Sequence, residues 1–378
     1  MRRGAVTLVA AALAVAVAAG AASGSHTPGN TYVNPLTITI PAGGVVQTFA
    51  DPAVIKGPDG FYYAYGTSDP LHENDRAPGG GFNFHKIPIA RSSDLVHWTY
   101  MGDAFATTPD WLEPTSGMWA PDIRYLDGTY YLYYAGIDPK TTVSGRACAS
   151  EPAIGVATAP HPLGPWTDAG RPVVYPRPNG PGCDFFWTFD PALVEDAAGN
   201  RYIYFGSYYG GIHARRLTDP TTSDPATERQ VTIPNRYEGA YVIRRGGFYY
   251  LFGSATDCCR GPLTGYSVFA GRSPSPLGPF VDREGVPLTD ARVGGTPVIS
   301  MNGNRWMGPG HNAVITDEAG QDWFVYHAID RNDPYLAPAE PGLPNINQRP
   351  MLIDRLEWVD GWPSVRAGWW ASDTPEPA

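Results

Sequence analysis

The sequence predicts an all-β, single-domain chain built from five copies of one unit. Each copy begins with an acidic or imidazole side chain, continues through a few apolar residues and ends in an aromatic strand. Strand-like runs recur throughout and show no 3.6-residue periodicity. The 44 glycines and 39 prolines fall between the aromatic runs, where they indicate turns. The residues that open the five copies, called lead residues below, are Asp51, Asp122, Asp190, Glu238 and His311.

The N-terminal residues 1–21 have the pattern of a signal peptide. Arg2 and Arg3 precede an apolar run that is too short to span a bilayer, and Ala19-Gly20-Ala21 forms a small-residue cleavage pattern. An uncleaved lipid-side anchor is the alternative. We expect a secreted, extracellular protein with an extended lead-in at 22–44, the repeats at 45–370 and a polar tail at 371–378.

Charge and cysteine content narrow the classes of partner. Without Arg2 and Arg3 the 27 basic residues fall to 25, against 37 acidic residues. Nucleic acid and anionic membranes need clustered basic residues, so a neutral ligand is expected instead. A monomer is also expected. The four cysteines of an exported chain allow two disulfides in three pairings, which stay open. One pairing, between Cys258 and Cys259, would shape a loop that follows Glu238.

The repeated unit predicts the architecture. Its two opening strands, a small-residue strand and a closing aromatic resemble one four-stranded propeller blade, so five copies predict a five-bladed β-propeller. The lead residues lie 48 to 73 residues apart, whereas a blade needs about 40 to 50 residues. The excess indicates loops on one face. The loop at residues 71–84 is expected to line a ligand site.

The lead residues predict chemistry at the propeller axis. The innermost strand of every blade runs along the central channel, so the five side chains should share one cavity. Four of them are carboxylates, and bringing carboxylates together is energetically unfavourable unless they are hydrogen-bonded or have a function in catalysis or binding. Two carboxyl groups in different environments supply a protonated acid and an ionised base, as glycoside hydrolysis requires. The alternative is a structural role in Asp-Pro turns.

The motifs that carry the lead residues resemble those of glycoside hydrolase family 43, in the family's order and over most of the chain from about Val45 to Trp362. They are Ala50-Asp51-Pro52, Trp119-Ala120-Pro121-Asp122, Phe189-Asp190-Pro191, Tyr237-Glu238-Gly239 and Gly308-Pro309-Gly310-His311-Asn312. The resemblance implies an inverting enzyme that cleaves α-1,5-L-arabinofuranosyl linkages of arabinan, with endo action expected. An exo-acting α-L-arabinofuranosidase, a β-xylosidase and a non-catalytic sugar-binding propeller are the alternatives.

The resemblance also implies a role for each catalytic residue. Asp51 is the expected general base, Glu238 the general acid and Asp190 the carboxylate that orients the acid and tunes its pKa. The aromatic setting of Glu238 agrees, because it disfavours ionisation. An inverting pair is expected to stand about 6.5 to 9.5 Å apart. Asp122 is expected to bind a sugar hydroxyl, or else to replace Asp190 as the tuning group.

The remaining candidates concern the substrate and a metal. Trp119 and Trp187 are expected to stack on furanose rings, although most propeller aromatics are blade core. Arg349 is expected to reach a carboxylate or a sugar hydroxyl. The resemblance implies a calcium ion near His311, held largely through water, with a hydrogen-bonded imidazole as the alternative, since calcium prefers oxygen ligands. No organic cofactor is expected.

Overall fold

A computed structural model describes residues 31–292, 294–337 and 345–378. Regular structure in these ranges is almost entirely β-strand, with a helical turn at Thr141–Ser144 (α1) and 3-10 turns at Pro225–Thr227 and Gly261–Leu263. None of the described helices is long and apolar enough to cross a membrane. The predicted signal peptide, residues 1–21, lies outside the described residues. The all-β prediction is confirmed.

The strands form five blades in chain order, each with antiparallel neighbours. Before blade one come Thr31–Tyr32 (β1) and Thr37–Thr39 (β2). The strands of blade one are Ala53–Lys56 (β3), Tyr62–Tyr65 (β4), Pro88–Ser92 (β5) and His97–Asp103 (β6). The strands of blade two are Met118–Leu126 (β7), Thr129–Gly136 (β8), Ala153–Ala159 (β9) and Thr167–Asp168 (β10).

A two-stranded ladder, Arg177–Pro178 (β11) and Phe185–Phe186 (β12), separates blades two and three. The strands of blade three are Ala192–Glu195 (β13), Arg201–Phe205 (β14), His213–Asp219 (β15), Thr222–Ser223 (β16) and Arg229–Gln230 (β17). The strands of blade four are Tyr237–Arg245 (β18), Phe248–Ala255 (β19), Ser267–Ser273 (β20) and Thr296–Ile299 (β21). The strands of blade five are Trp306–Thr316 (β22), Asp322–Asp330 (β23), Met351–Val359 (β24) and Trp362–Val365 (β25), and Glu376–Pro377 (β26) follows.

A buried hydrophobic cluster lies between each pair of neighbouring blades, because alternate side chains of a strand cover both faces of its sheet. The fifth cluster joins blade five to blade one, so the blades form a closed ring. Representative pairs, from the one–two interface to the five–one interface, are Tyr65 with Tyr134, Tyr133 with Phe205, Tyr204 with Leu251, Phe252 with Phe324, and Trp323 with Trp98. The predicted five-bladed propeller is confirmed.

The two ends of the chain help to close this ring. β1 pairs with β26, and β2 adds to blade one as a fifth strand parallel to β6. Between them, the Leu36 N–H donates to the Met351 carbonyl of blade five at 2.9 Å. The buried Asp354 carboxylate of blade five accepts hydrogen bonds from the Tyr32 hydroxyl at 2.8 Å and the Ser372 N–H at 3.1 Å. The predicted lead-in and polar tail therefore contribute strands to the fold.

Candidate active site

The innermost strands share one backbone feature. Each has one residue with left-handed φ, between 46° and 59°, either two positions before its first residue or within the strand: Asp51, Ala120, Asp190, Gly239 and His311. Two positions later, equivalent residues pair with the second strand: Ala53 with Tyr65, Asp122 with Tyr133, Ala192 with Tyr204, Tyr241 with Phe252, and Ala313 with Val325. Three lead residues thus occupy equivalent positions. The predicted equivalence is wrong for two lead residues: Asp122 lies two positions after the left-handed residue of β7, and Glu238 lies one position before that of β18.

Asp51 is buried among hydrogen-bond donors and positive charge. The Thr67 hydroxyl donates to its Oδ2 at 2.6 Å, and its Oδ1 lies 3.4 Å from a guanidinium nitrogen of Arg349 and 3.4 Å from Nδ1 of His311. Its main-chain N–H donates to Nδ1 of His327 at 3.1 Å. Burial alone would raise the pKa of Asp51, but Arg349 and the two histidines hold it well below its usual range. Asp51 is therefore an ionised carboxylate.

Arg349 bridges two carboxylates. One guanidinium nitrogen faces Asp51, and the other lies 3.2 Å from Oδ2 of Asp69. Burial raises the pKa of Asp69 against the opposing effect of Arg349. The prediction that Arg349 reaches a carboxylate agrees with these contacts, while a sugar contact stays a prediction. Arg349 thus supplies the charge that keeps Asp51 ionised.

Glu238 has the opposite electrostatic setting. The Ser207 hydroxyl donates to its Oε2 at 3.0 Å, and the Tyr266 hydroxyl is a second hydrogen-bonding partner. Burial, assisted by the negative charges of Asp51 and Asp257, raises the pKa of Glu238 to about 7 although both hydroxyls oppose the shift. A large fraction of Glu238 is therefore protonated at neutral pH.

Asp190 lies beside Glu238. The main-chain N–H of Gly239 donates to Asp190 Oδ2 at 2.8 Å. Burial first, and then the charge of Glu238, raise the pKa of Asp190 well above its usual range. A side chain at position 239 would be strained by the left-handed φ of 59°, and its Cβ would come within 3.2 Å of Tyr266 and His311. Glycine at this position lets the backbone reach Asp190.

Asp122 is not brought to this group of side chains. Its Oδ2 accepts hydrogen bonds from Nε of Arg124 at 2.9 Å and from the Leu193 N–H of blade three at 2.8 Å. Burial raises its pKa, and the Arg124 charge opposes the rise. The structure thus gives Asp122 a scaffold contact between blades two and three. This geometry does not support the predicted sugar contact or tuning role.

Two indole side chains lie partly exposed next to the Asp190 segment. The Trp119 and Trp187 side chains are 40% and 39% exposed. Trp119 stacks on Phe189, with ring centroids 5.8 Å apart, and Trp187 meets the same ring edge-on at 6.0 Å. Aromatic faces that remain exposed beside a carboxyl group are suited to sugar stacking. The predicted substrate role of both tryptophans is consistent with this placement and stays a prediction.

The His311 imidazole lies between the Asp51 carboxylate and the His327 ring. Burial lowers its pKa, and burial lowers that of His327 to about 4. The described residues contain no group of three or more His, Cys, Asp or Glu side chains arranged to hold a metal. Calcium prefers an oxygen-rich shell, so these residues do not form a calcium site by themselves. The calcium ion stays a prediction that requires water ligands, and no chemical step is assigned to it.

Two disulfides resolve the open pairing: Cys148 bonds Cys183, and Cys258 bonds Cys259. The vicinal pair lies in the loop after β19. Asn347 ties this loop to the segment before Arg349, because its Nδ2 donates to the Cys259 carbonyl at 3.1 Å and its Oδ1 accepts the Gly261 N–H at 2.7 Å. The loop borders the site, since the charge of Asp257 acts on Glu238.

Several residues of the site received no role from the sequence, among them three hydroxyl residues and one tyrosine. Thr67, Ser207 and Ser254 each follow the glycine at the end of a second strand, and this repeated Gly-Thr/Ser pair is the signal that could have identified them. Tyr266 stacks on His327, with ring planes 13° apart. Nothing in the sequence near Tyr266 marks it, because the contact is made between blades four and five.

An ionised carboxylate and a protonated carboxyl group at one end of a propeller are the equipment of a glycoside hydrolase. Residues 44–363 match the model of the family described as glycosyl hydrolases family 43. The chain belongs to that family and is a glycoside hydrolase.

The chain is similar to enzymes from two bacteria. It is 32% identical over 305 residues to the extracellular exo-α-(1→5)-L-arabinofuranosidase ArbA of Cellvibrio japonicus, covering 74% of this chain and 80% of the relative. It is 30% identical over 287 residues to the extracellular endo-α-(1→5)-L-arabinanase 1 of Bacillus subtilis, covering 74% and 79%. The solved Cellvibrio cellulosa α-L-arabinanase complexed with arabinohexaose superposes with a TM-score of 0.65 at 28% identity, covering 85% of this chain and 96% of that one.

Proposed function

We propose that the protein is a secreted, inverting hydrolase of α-1,5-L-arabinofuranosyl linkages in arabinan, with endo action. The observation that carries the mechanism is the opposed electrostatics of Asp51 and Glu238. Asp51 has a depressed pKa and is ionised, while the pKa of Glu238 is raised to about 7. One group accepts a proton and the other donates one at the same pH.

The two carboxyl groups divide the reaction between them. The Asp51 carboxylate removes a proton from a water molecule as its oxygen attacks the anomeric carbon. Glu238 gives its proton to the glycosidic oxygen as the bond to the anomeric carbon breaks. A single displacement of this kind inverts the anomeric configuration, so an α-linkage yields a β-sugar. Glu238 ends ionised and Asp51 protonated, and exchange with solvent restores both.

Asp190 acts on the acid in this proposal. Its Oδ2 is fixed by the N–H of the residue next to Glu238, and the two carboxyl groups interact electrostatically. When Asp190 is ionised, its negative charge opposes loss of the proton from Glu238, in addition to the burial that already raises the pKa of the acid. Asp190 therefore tunes the acid without taking part in proton transfer.

The choice of arabinan is supported by the relatives, which carry arabinan-directed names at 30% and 32% identity. Endo action is supported by the name of the Bacillus subtilis relative and by the exposed Trp119 and Trp187, which offer stacking faces beyond a single sugar. The second candidate is an exo-acting α-L-arabinofuranosidase, which the name of the Cellvibrio japonicus relative favours. Secretion is supported by the word "extracellular" in both names and by the predicted signal peptide.

Hydrolysis of linear 1,5-arabinan, with products separated by size over time, tests the proposal. A ladder of oligosaccharides at early times is expected, and the proton NMR spectrum should show the β-anomer first. Arabinose as the sole early product would replace endo with exo action. Activity on xylan alone would contradict the arabinan assignment, and binding without cleavage would identify a sugar-binding propeller.

Replacement of the acid tests the mechanism. Glu238→Gln is expected to lower kcat on arabinan by about 10²- to 10⁴-fold, because general acid catalysis contributes on that scale. The loss should be smaller on 4-nitrophenyl α-L-arabinofuranoside, whose leaving group needs little protonation. Glu284→Gln is the matched control, since Glu284 is exposed in the same blade. An equal loss on both substrates would remove Glu238 from the acid role.

A further inference from the structure

Hydroxyl side chains at the ends of second strands join neighbouring blades. Thr67 of blade one accepts the Ala120 N–H of blade two on its Oγ1 at 2.8 Å. Ser254 of blade four accepts the His311 N–H of blade five on its Oγ at 2.9 Å. Both N–H groups belong to the left-handed residues of the next inner strand. The repeated contact is a scaffold contact.

Ser207 of blade three departs from this pattern. The corresponding N–H of blade four is that of Gly239, and it donates to Asp190 instead. The Ser207 hydroxyl therefore has no backbone donor to accept from blade four, and it donates to Oε2 of Glu238 at 3.0 Å. A contact that elsewhere holds the scaffold here holds a side chain that the proposed mechanism uses.

We propose that Ser207 is a positioning residue for the proton donor Glu238, and this inference rests on the proposed function. Its hydroxyl fixes Oε2 as the oxygen that accepts a hydrogen bond. The proton of the neutral acid is then carried on Oε1, the oxygen that must reach the leaving group. Without Ser207 the carboxyl group loses the donor that holds Oε2, although the Tyr266 hydroxyl remains, so a smaller fraction carries its proton on Oε1.

The position of Ser207 is itself fixed by the segment that carries an exposed indole. Its side chain is buried, and its main-chain N–H donates to the Trp187 carbonyl at 3.1 Å. The same carbonyl accepts a hydrogen bond from Arg177 at 3.3 Å. Next to it, the Tyr208 N–H donates to the Tyr237 carbonyl at 2.9 Å. Ser207 thus contacts both the backbone of Trp187, a proposed sugar-stacking residue, and the side chain of the proposed proton donor.

The experiment compares Ser207→Ala with Ser207→Thr, which keeps the hydroxyl, in pH-rate profiles on arabinan. Ser207→Ala is expected to lower kcat about tenfold, with a smaller change in KM, because a hydrogen bond to a carboxylate is lost. The Ser207 hydrogen bond stabilises the ionised form of Glu238 and lowers its pKa. Its removal should therefore raise that pKa and move the alkaline limb up by about half to one pH unit. Ser207→Thr should keep the limb in place.

Ser273→Ala is the matched control, because Ser273 is buried in the same way and its Oγ accepts a local N–H, from Ser275 at 3.1 Å. An alkaline limb that stays in place in Ser207→Ala would overturn the proposal, whatever the loss of rate. A carbon-13 NMR titration of the Glu238 carboxyl, assigned with Glu238→Gln, gives the same comparison without substrate. Inactivity of the unmodified enzyme on arabinan would refute the proposed function, whereas the titration would still decide the role of Ser207.

Discussion

The N–H of Gly239 donates to Oδ2 of Asp190 at 2.8 Å, so the strand that carries Glu238 also holds the neighbouring carboxylate. This contact connects the segment just before the inner strand of blade three to the inner strand of blade four, through the proposed tuning carboxylate and the residue next to the acid. A change in the charge of Asp190 should therefore change the pKa of Glu238, provided that the hydrogen bond from Gly239 is kept.

Asp190→Asn makes that change, because the amide oxygen still accepts the Gly239 N–H while the negative charge is lost. Glu238 then ionises more easily, so the alkaline limb of the kcat profile should move below its value near 7. We expect kcat at pH 7 to fall about 10²-fold. A pH-rate profile measures both effects, and an unmoved alkaline limb would contradict the tuning role.

The acid limb of the same profile should report Asp51. Its pKa lies well below the usual range, largely through Arg349, so activity should persist below the pH at which an ordinary aspartate is protonated. Arg349→Met removes the positive charge, and the acid limb should move to higher pH. Arg331→Met is the control at an exposed arginine. The idea fails if the two variants have the same acid limb.

His85, in the connection between β4 and β5, is held by a cluster of polar side chains, called the clamp below, that should make stability depend on pH. His85 Nε2 lies 2.9 Å from Asp75, its Nδ1 lies 2.9 Å from Asp103, and the Tyr100 hydroxyl lies 3.1 Å from the same Nδ1. Burial lowers the pKa of His85, but the two carboxylates outweigh it and the net shift is upward. The clamp therefore makes its full contribution to the free energy of unfolding below the ordinary histidine pKa. That contribution is lost as the pH rises through the folded-state pKa of His85.

Thermal unfolding of His85→Gln tests this dependence. The variant should melt about 2 to 4 °C below the unmodified protein at pH 5.5, and the difference should shrink at pH 9. His97→Gln is the control, because His97 pairs with one aspartate at an exposed position. An equal difference in melting temperature at both pH values would show that the imidazole charge contributes nothing.

Asp354 should be the most sensitive position of the ring closure. Its buried carboxylate accepts from Tyr32 at 2.8 Å, Tyr326 at 2.7 Å and the Ser372 N–H at 3.1 Å. Asp354→Ala leaves these donors unpaired, so we expect the free energy of unfolding to fall by about 3 kcal/mol or more. Denaturant titration measures it. Asp373→Ala, at an exposed position of the same tail, should stay within about 0.5 kcal/mol.

The sequence predicted those features that depend on residues within one repeat. The pairing of a lead residue with an aromatic strand predicted the blades, and Asp51, Asp190 and Glu238 lie where their charges interact. The residue of β7 equivalent to Asp51 is Ala120, which has no functional side chain, and hydrophobic patterning does not show that Asp122 lies two positions further along the strand. Its partner Leu193 belongs to another blade.

Contacts between blades were the part that sequence could not supply. Arg349 was expected to reach a carboxylate or a sugar hydroxyl, but its partners Asp51 and Asp69, nearly 300 residues away, could not be named. The Ser207 contact depends on where the Gly239 N–H is directed. Neither relation leaves a spacing pattern, because both arise when the ring closes. The disulfides are similar, since three pairings were compatible with the sequence and the course of the loops selects one.

The pairing of β1 with β26 has a consequence for how the chain can be rearranged. Thr31 faces Pro377 across this ladder, so both ends of the described chain leave the molecule at one seam. A short linker between them would make the ring covalently continuous. New ends placed in the Gly246–Gly247 turn, between β18 and β19, would then give a circular permutant whose first strand is the second strand of blade four. The permutant should keep the same ring and the same site, because both depend on how the blades pack and not on which blade comes first in the chain.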